Sequence, residues 1–417
     1  MRFSFSDNES ISGATLSKET KKLAAYREKV EDIINTRDAS KPEYALHYAS
    51  EPALHETLAA VTKKYQAIKH LVVVGIGGSS LGLEAMHSVL DTGAVKLTVL
   101  DTLAANEIEA LQKELASLKR INQLAVCVIS KSGNTPETLV NASVLLESLK
   151  VKWGSAVYGQ TLFIGNPGTD FMKTGKRLGV TCIAMPEAIG GRYSVATEVG
   201  LVPLALLHHD VDSFIEGIVT ASTPELEEIV LSSSVRIHQY IQKGFKHYNF
   251  FAFEKRLEIL GAWYRQLFAE SLGKALDKDK KPVTKSMLPT ISTPVELHSI
   301  GQLYLSGFPG VYTDFVTFDD ETTDFNIPKQ GIAKVYGRFS AQEVTTALYG
   351  GVIGAYNEKK LPYRTTIFED ELAYDLGLFM GMRLREVMYV AELMNVNAFD
   401  QPNVELYKQK TKSILKI

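Results

Sequence analysis

Hydroxyl groups crowd one short stretch of the chain. The run SKSGNTPET supplies Ser130, Ser132 and Thr135 beside Lys131, and Pro136 marks the opening of a helix. Hydroxyls next to the first amides of a helix suit a monophosphate, since they give several donors with little excess positive charge. Ordinary helix capping would use one such hydroxyl, not three. A second phosphate-loop candidate is GIGGSSLG, where Gly75, Gly77 and Gly78 let the backbone turn tightly and approach a ligand, and Ser79 and Ser80 open the next helix. Gly78, Ser79, Ser130, Lys131, Ser132 and Thr135 form the candidate phosphate-binding set. The same glycines also permit a dinucleotide reading, with Asp101 where a ribose-binding acid would sit, but Ser80 replaces the third fingerprint glycine.

Acid–base chemistry has a separate candidate. Gln266, Glu270 and Lys274 are spaced four apart, so a helix would line them on one face. A surface ion pair between Glu270 and Lys274 is the plain account of that spacing. The surrounding LEILGAWYRQLFAESLG is apolar on most sides, however, which predicts that this helix end is buried and that its carboxylate has a task. Arg192 follows two glycines, Gly190 and Gly191, that would let a ligand lie against the backbone. No HExxH, CxxC or cluster of His with carboxylates stands at ligand spacing, so no metal and no cofactor is expected.

The elements that must hold these groups read as α/β. From His70 onward, HLVVV, KLTVLD, LAVCVIS, TLFIG and VTCIAM alternate with amphipathic stretches, and strands that are apolar at nearly every position call for helices on both faces of a parallel sheet. A second set follows a helical stretch over 224–243: NFFAF, a helix over 257–272, a strand near Met287, TDFVTF, a helix near Val344 and YRTTIFE. Residues 16–37 have helical spacing, with Ser17 as a candidate cap, and are expected to embellish the first sheet. At 417 residues, two mainly parallel sheets fit better than one very large sheet.

Composition limits the partners. Hydrophobic residues are 45% and charged residues 22%, which allows a large core. Lys+Arg 45 against Asp+Glu 48 gives a net charge of -3, so no nucleic-acid partner is expected. The N-terminus lacks a signal-peptide pattern and no run reaches a membrane span, so the expectation is a cytoplasmic protein with no membrane contact. Cys127 and Cys182 both fall in apolar runs and read as buried, reduced thiols.

The ordered set of motifs resembles the sugar isomerase domain family. Within it, GGRYSVATEVGL resembles the GGR(Y/F)S signature of the glucose-6-phosphate isomerases, ESLGK their ESxGK, and VELHSIGQ the histidine segment of the bacterial form. AFDQPNVELYKQK is similar to the C-terminal FDQxGVExxK signature and keeps the step from Gln401 to Lys408, with Asn403 and Tyr407 where glycines are usual. The resemblance implies two flavodoxin-like subdomains, one over 50–205 that binds phosphate and a larger one from 1–49 and 206–417. It further implies reversible isomerisation of glucose 6-phosphate and fructose 6-phosphate, in glycolysis and gluconeogenesis, by a homodimer. Glu270 would move a proton between C2 and C1 through a cis-enediol, with Arg192 and Gln266 at the developing oxyanion. His298, supplied by the partner subunit, would open the ring, and Lys408 would contact the same end. A non-catalytic phosphosugar sensor on the same fold would explain the phosphate loops but would have no use for Glu270, Gln266, His298 or Lys408.

Overall fold

HLVVV is buried at every position, so the chain here can only be a strand covered on both faces. The computed structural model describes residues 1–6, 11–306, 308, 310–319, 324–369 and 371–416. β1 (Arg2–Phe5) is followed by α1 (Gly13–Lys22), α2 (Ala24–Asn35) and α3 (Pro52–Lys64). The first sheet and its helices run β2 (His70–Val74), α4 (Leu81–Leu90), β3 (Lys96–Leu100), α5 (Ala105–Leu115), β4 (Leu124–Ile129), α6 (Pro136–Trp153), α7 (Ala156–Gly159), β5 (Thr161–Gly165), α8 (Asp170–Leu178) and β6 (Thr181–Ala184). Helices α9 (Glu198–Leu206), α10 (Val211–Thr220) and α11 (Pro224–Gln242) lead to β7 (His247–Ala252), α12 (Glu258–Leu272), β8 (Leu288–Ser292), α13 (Gly301–Leu305), β9 (Val311–Phe318), α14 (Ala341–Glu358) and β10 (Tyr363–Phe368), and the chain closes with α15 (Leu372–Leu393) and α16 (Glu405–Leu415).

The first sheet is wholly parallel in the order β3-β2-β4-β5-β6, the flavodoxin-like order. Leu71 and Val73 face the core that contains Leu83 and Met86 of α4. Val72 and Val74 face Leu111 of α5, Leu145 of α6 and Phe171 of α8. The helices after β2 and β4 therefore leave on opposite faces, and the two loops at those strand ends flank the crevice where open α/β sheets bind ligands. GIGGSS and SKSGNT are those loops. The second sheet has the order β1-β10-β9-β7-β8, parallel except for β1 at its edge. Two mainly parallel sheets flanked by helices are thus the architecture.

Several expectations need correction. The helix over 16–37 breaks at Leu23, and the cap is Ser12, whose Oγ accepts from Thr15 N at 3.1 Å, not Ser17. Leu23 packs with Val230, Leu231 and Met382, so these helices serve the second sheet's layer instead of the first sheet. Strand β1 and helix α15 were not legible. Every residue of α15 from Asp375 to Ala391 is buried, which erases the polar stripe that reveals an ordinary surface helix. Its charges are paired: Arg383 donates to Asp314 at 2.8 Å and to Glu386 at 3.1 Å, while Arg364 of β10 donates to Asp314 at 2.8 Å and to Glu386. Cys127 is buried as expected, but Cys182 is only half-buried, at the end strand of its sheet. No helix among the described residues is long and apolar enough to cross a membrane.

Candidate active site

Helix α12 presents one face to the core through Leu260, Trp263, Tyr264, Leu267, Phe268 and Ser271. Gln266 and Glu270 emerge beside that face, one turn apart. Gln266 Nε2 donates to Glu270 Oε1 at 2.9 Å, and Arg192 Nη1 donates to Glu270 Oε2 at 3.2 Å, so each carboxylate oxygen has a donor. Arg192 is 3% exposed, and a charge buried that deeply needs partners on all sides. It has them: Nε donates to Ser271 Oγ at 2.9 Å, Nη1 also to Gln401 Oε1 at 2.8 Å, and Nη2 to the carbonyls of Ala398 and Asp400. The surface pair of Glu270 with Lys274 does not form. Lys274 Nζ instead reaches the Glu270 carbonyl at 2.8 Å and the Asp400 carboxylate at 3.0 Å. The Glu270 side chain keeps about a third of its surface open, toward a cleft of about 200 Å³ lined also by Gly273, Gln401 and Asn403.

The two candidate phosphate loops come to the same place. Gly78 lies so close to Gly191 that a β-carbon on it would stand 2.2 Å from the Gly191 carbonyl carbon, which is why the position tolerates no side chain. Ser194 Oγ donates to the Gly191 carbonyl at 2.7 Å and to the Gly78 carbonyl at 3.4 Å, tying GIGGSS to GGRYS. Gly77, at a φ of 62°, sits under the Gln266 amide. After β4, Thr135 is the N-cap residue of α6 with an extended backbone, yet its hydroxyl makes no capping bond. Ser130 Oγ is 3.4 Å from Thr135 Oγ1 and deeply buried, whereas Ser132 is exposed and accepts weakly from Asn134 N at 3.3 Å. These hydroxyls are not consumed by capping the helix. Ser79 is half-buried at the end of the facing loop. Lys131, counted in the candidate phosphate set, has an ammonium that donates to the Ile189 carbonyl at 2.8 Å.

A family model described as phosphoglucose isomerase matches residues 49–417. The chain belongs to the phosphoglucose isomerase family. Glucose-6-phosphate isomerase of Thermus thermophilus is 28% identical over 387 residues, 90% of this chain and 91% of that protein. Its counterpart in Lactiplantibacillus plantarum is 30% identical over 367 residues, 83% of this chain and 79% of that one. Among solved structures, a protein of Thermus thermophilus described as hypothetical superposes with a TM-score of 0.87 at 26% identity over 99% of both chains. A glucose-6-phosphate isomerase from Chlamydia trachomatis gives 0.80 at 18% identity, over 99% of this chain and 88% of its own, a likeness of fold.

Against the phosphoglucose isomerase motifs, the structure gathers Arg192, Gln266 and Glu270 into one hydrogen-bonded group and leaves two candidates apart. His298 ends the turn Pro294–His298 after β8 and is exposed; among the described residues it has no hydrogen bond or ion pair with the Glu270 group. Lys408 lies on the exposed helix α16. Sequence reasoning used Gln401 only as a spacing marker and overlooked Ser271, although both touch Arg192. The signal for Gln401 was its place in the FDQ run. The signal for Ser271 was its fixed place in the ESLGK run, although its bond to Arg192 appears only when α12 meets the GGR turn. Thr138, a turn beyond Thr135, was also missed; its buried Oγ1 has no partner among the described residues.

Proposed function

We infer that this chain interconverts glucose 6-phosphate and fructose 6-phosphate by proton transfer through a cis-enediol. The observation that carries the reading is Glu270: a carboxylate held by Arg192 and Gln266 and open to a cleft, with the Gln266 amide resting on Gly77 of the GIGGSS loop. Phosphate held by Ser79, Ser130, Ser132 and Thr135, with the loop amides near Gly78 and Lys131, fixes one end of the sugar. Binding energy remote from the reaction then positions the carbons that react. Glu270 takes the C2 proton as the carbonyl oxygen at C1 gains charge; the hydroxyl proton of the C2 oxygen passes to the C1 oxygen, and Glu270, whose proton exchanges with solvent, delivers a proton to C1 as the C2 oxygen becomes the ketone. Arg192 and Gln266, already pointed at Glu270, are donors for the oxygen that carries the charge; preorganised donors of this kind contribute about 3 kcal/mol each.

The same reading assigns ring opening to His298 of a second copy, with Lys408 at that end. The exposure of His298, beside exposed Val295 and Leu303, is what supports a homodimer with shared sites. It further takes 50–205 as the phosphate-binding subdomain, 1–49 and 206–417 as the larger one, and the cytoplasm, where glycolysis runs, as the location. Incubation of glucose 6-phosphate with the protein in deuterated water tests the chemistry, with NMR of the C1 and C2 hydrogens. Fructose 6-phosphate should form and deuterium should enter C2 of recovered glucose 6-phosphate. No fructose 6-phosphate would overturn the function; product without any label would replace proton transfer with hydride transfer.

A further inference from the structure

Lys131 stands in the phosphate loop, but its side chain acts on another one. The segment that ends in Arg192 is fixed at three points: Lys131 Nζ on the Ile189 carbonyl at 2.8 Å, the backbone contact of Gly78 with Gly191, and Ser194 Oγ bridging the Gly191 and Gly78 carbonyls. All three points reach into the loops after β2 and β4, which on the isomerase reading form the two sides of the phosphate site. Arg192 has no slack of its own, since its guanidinium is committed to Ser271, Glu270, Gln401 and two carbonyls. A small displacement of residues 189–191 would therefore misalign the donor that Glu270 and the developing oxyanion share.

We propose that Lys131 is a positioning residue, whose bond to the Ile189 carbonyl keeps the Gly190–Gly191–Arg192 turn in register with the phosphate loop, and that it is not itself a phosphate ligand. The inference rests on the isomerase reading above. The surroundings of the ammonium agree with it. Burial lowers its pKa, and the neighbouring Arg192 charge does so further, against an opposing pull from Glu187. A desolvated ammonium beside another cation depends on the one carbonyl it bonds. The main chain of Lys131 is part of the loop whose amides would face the phosphate, so a dianion drawing on that loop acts on the same residue that holds Ile189. Binding at one end of the sugar is thereby transmitted to Arg192 at the other.

The test separates binding from turnover. Glucitol 6-phosphate carries the phosphate but has no carbonyl to isomerise, so its Kd reports the cradle alone, while kcat with fructose 6-phosphate reports Arg192. For Lys131→Met the expectation is a kcat loss of at least about ten-fold with the glucitol 6-phosphate Kd unchanged within about three-fold. Lys131→Arg, which can still donate to the carbonyl, should recover most of that loss. Ser132→Ala, which removes a hydroxyl from the cradle, should instead weaken the glucitol 6-phosphate Kd by more than about three-fold. If Lys131→Met does not fold, Lys131→Leu, which likewise has no donor, is held to the same thresholds. A Kd weakened beyond three-fold would make the ammonium a phosphate ligand and overturn the proposal; so would a smaller kcat loss, or no recovery with arginine. Absence of turnover in the unaltered protein would sink the isomerase reading and this inference with it, whereas the outcomes above leave that reading standing.

Discussion

Arg192 and Glu270 differ in how far each is held by its surroundings. Arg192 is buried and bonded through all three nitrogens, while Glu270 accepts a bond on each oxygen yet remains open to the cleft. Glu270→Gln should lower turnover by at least about three orders of magnitude, while glucitol 6-phosphate still binds, because the base is lost and the cradle is intact. Turnover near that of the unaltered protein would remove Glu270 from its role. Ser130→Ala and Thr135→Ala should instead raise KM, each lost charge-assisted bond costing about 1.5–3 kcal/mol. Normal KM in both would place the phosphate elsewhere. At this scale the sequence was most legible where several like groups shared one motif, as in SKSGNT. It was least legible for the pairing of Ser271 and Gln401 with Arg192, since those partners meet across 79 and 209 positions of chain.

Among the elements, α12 decides where Glu270 points. Its core-facing side is fastened twice, seven residues apart and therefore on one face: Tyr264 OH donates to Glu386 Oε1 at 2.7 Å, and Ser271 Oγ meets both Arg192 Nε and Tyr193 OH at 2.9 Å. Glu386 belongs to a wholly buried set in which Arg364 and Arg383 balance Asp314 and Glu386. Removing one charge from such a set leaves the others uncompensated, so Glu386→Gln should destabilise the fold by about 3–5 kcal/mol in a urea titration. Tyr264→Phe removes a single hydroxyl and should cost about 1–3 kcal/mol, leaving a buried oxygen short of a donor. A smaller effect from Glu386→Gln than from Tyr264→Phe would refute this account of the network. Helix α12 was readable from its own residues, since one side is apolar along its length. Helix α15 was not, because its charges are satisfied only by strands and helices brought to it by the fold.

For the whole molecule, acid stability should fall in two stages. Burial, with His87 adding to it, holds His209 down to about 4, and burial, helped by the Lys22 charge, holds His238 there against the pull of Glu19. An unfolded histidine titrates near 6.5, so the unfolded chain takes up protons first and stability falls as the pH drops from about 6.5 to about 4. Glu386 is driven upward by burial but held down to about 2 by Arg364 and Arg383, so a second loss runs from about 4.5 toward 2. Urea midpoints measured against pH should show both slopes, and a flat profile between 6.5 and 4 would contradict the histidine assignment. Catalysis by the assembled protein has its own test. Glu270→Gln and His298→Ala, each inactive alone, should regain activity when mixed and reassembled if His298 serves the partner's site, since each heterodimer then holds one undamaged site. No recovery, with heterodimers verified by mass spectrometry, would place both residues in one chain's site.

The sequence by itself determined the parts whose signal is local. Uninterrupted apolar runs required strands covered on both faces, clustered hydroxyls and glycines at their ends marked the candidate phosphate loops, and four-residue spacing put Gln266 and Glu270 on one side of a helix. Tertiary structure alone decided the rest. It placed α1 and α2 against the second sheet's helices, closed Gly78 onto Gly191, turned Lys131 toward Ile189 and Lys274 toward Asp400, and gave Arg192 its partners. The physical reason is the same in each case. A buried charge or a backbone contact is stabilised by groups that lie far away in sequence, and only packing of the finished layers brings them within hydrogen-bonding range.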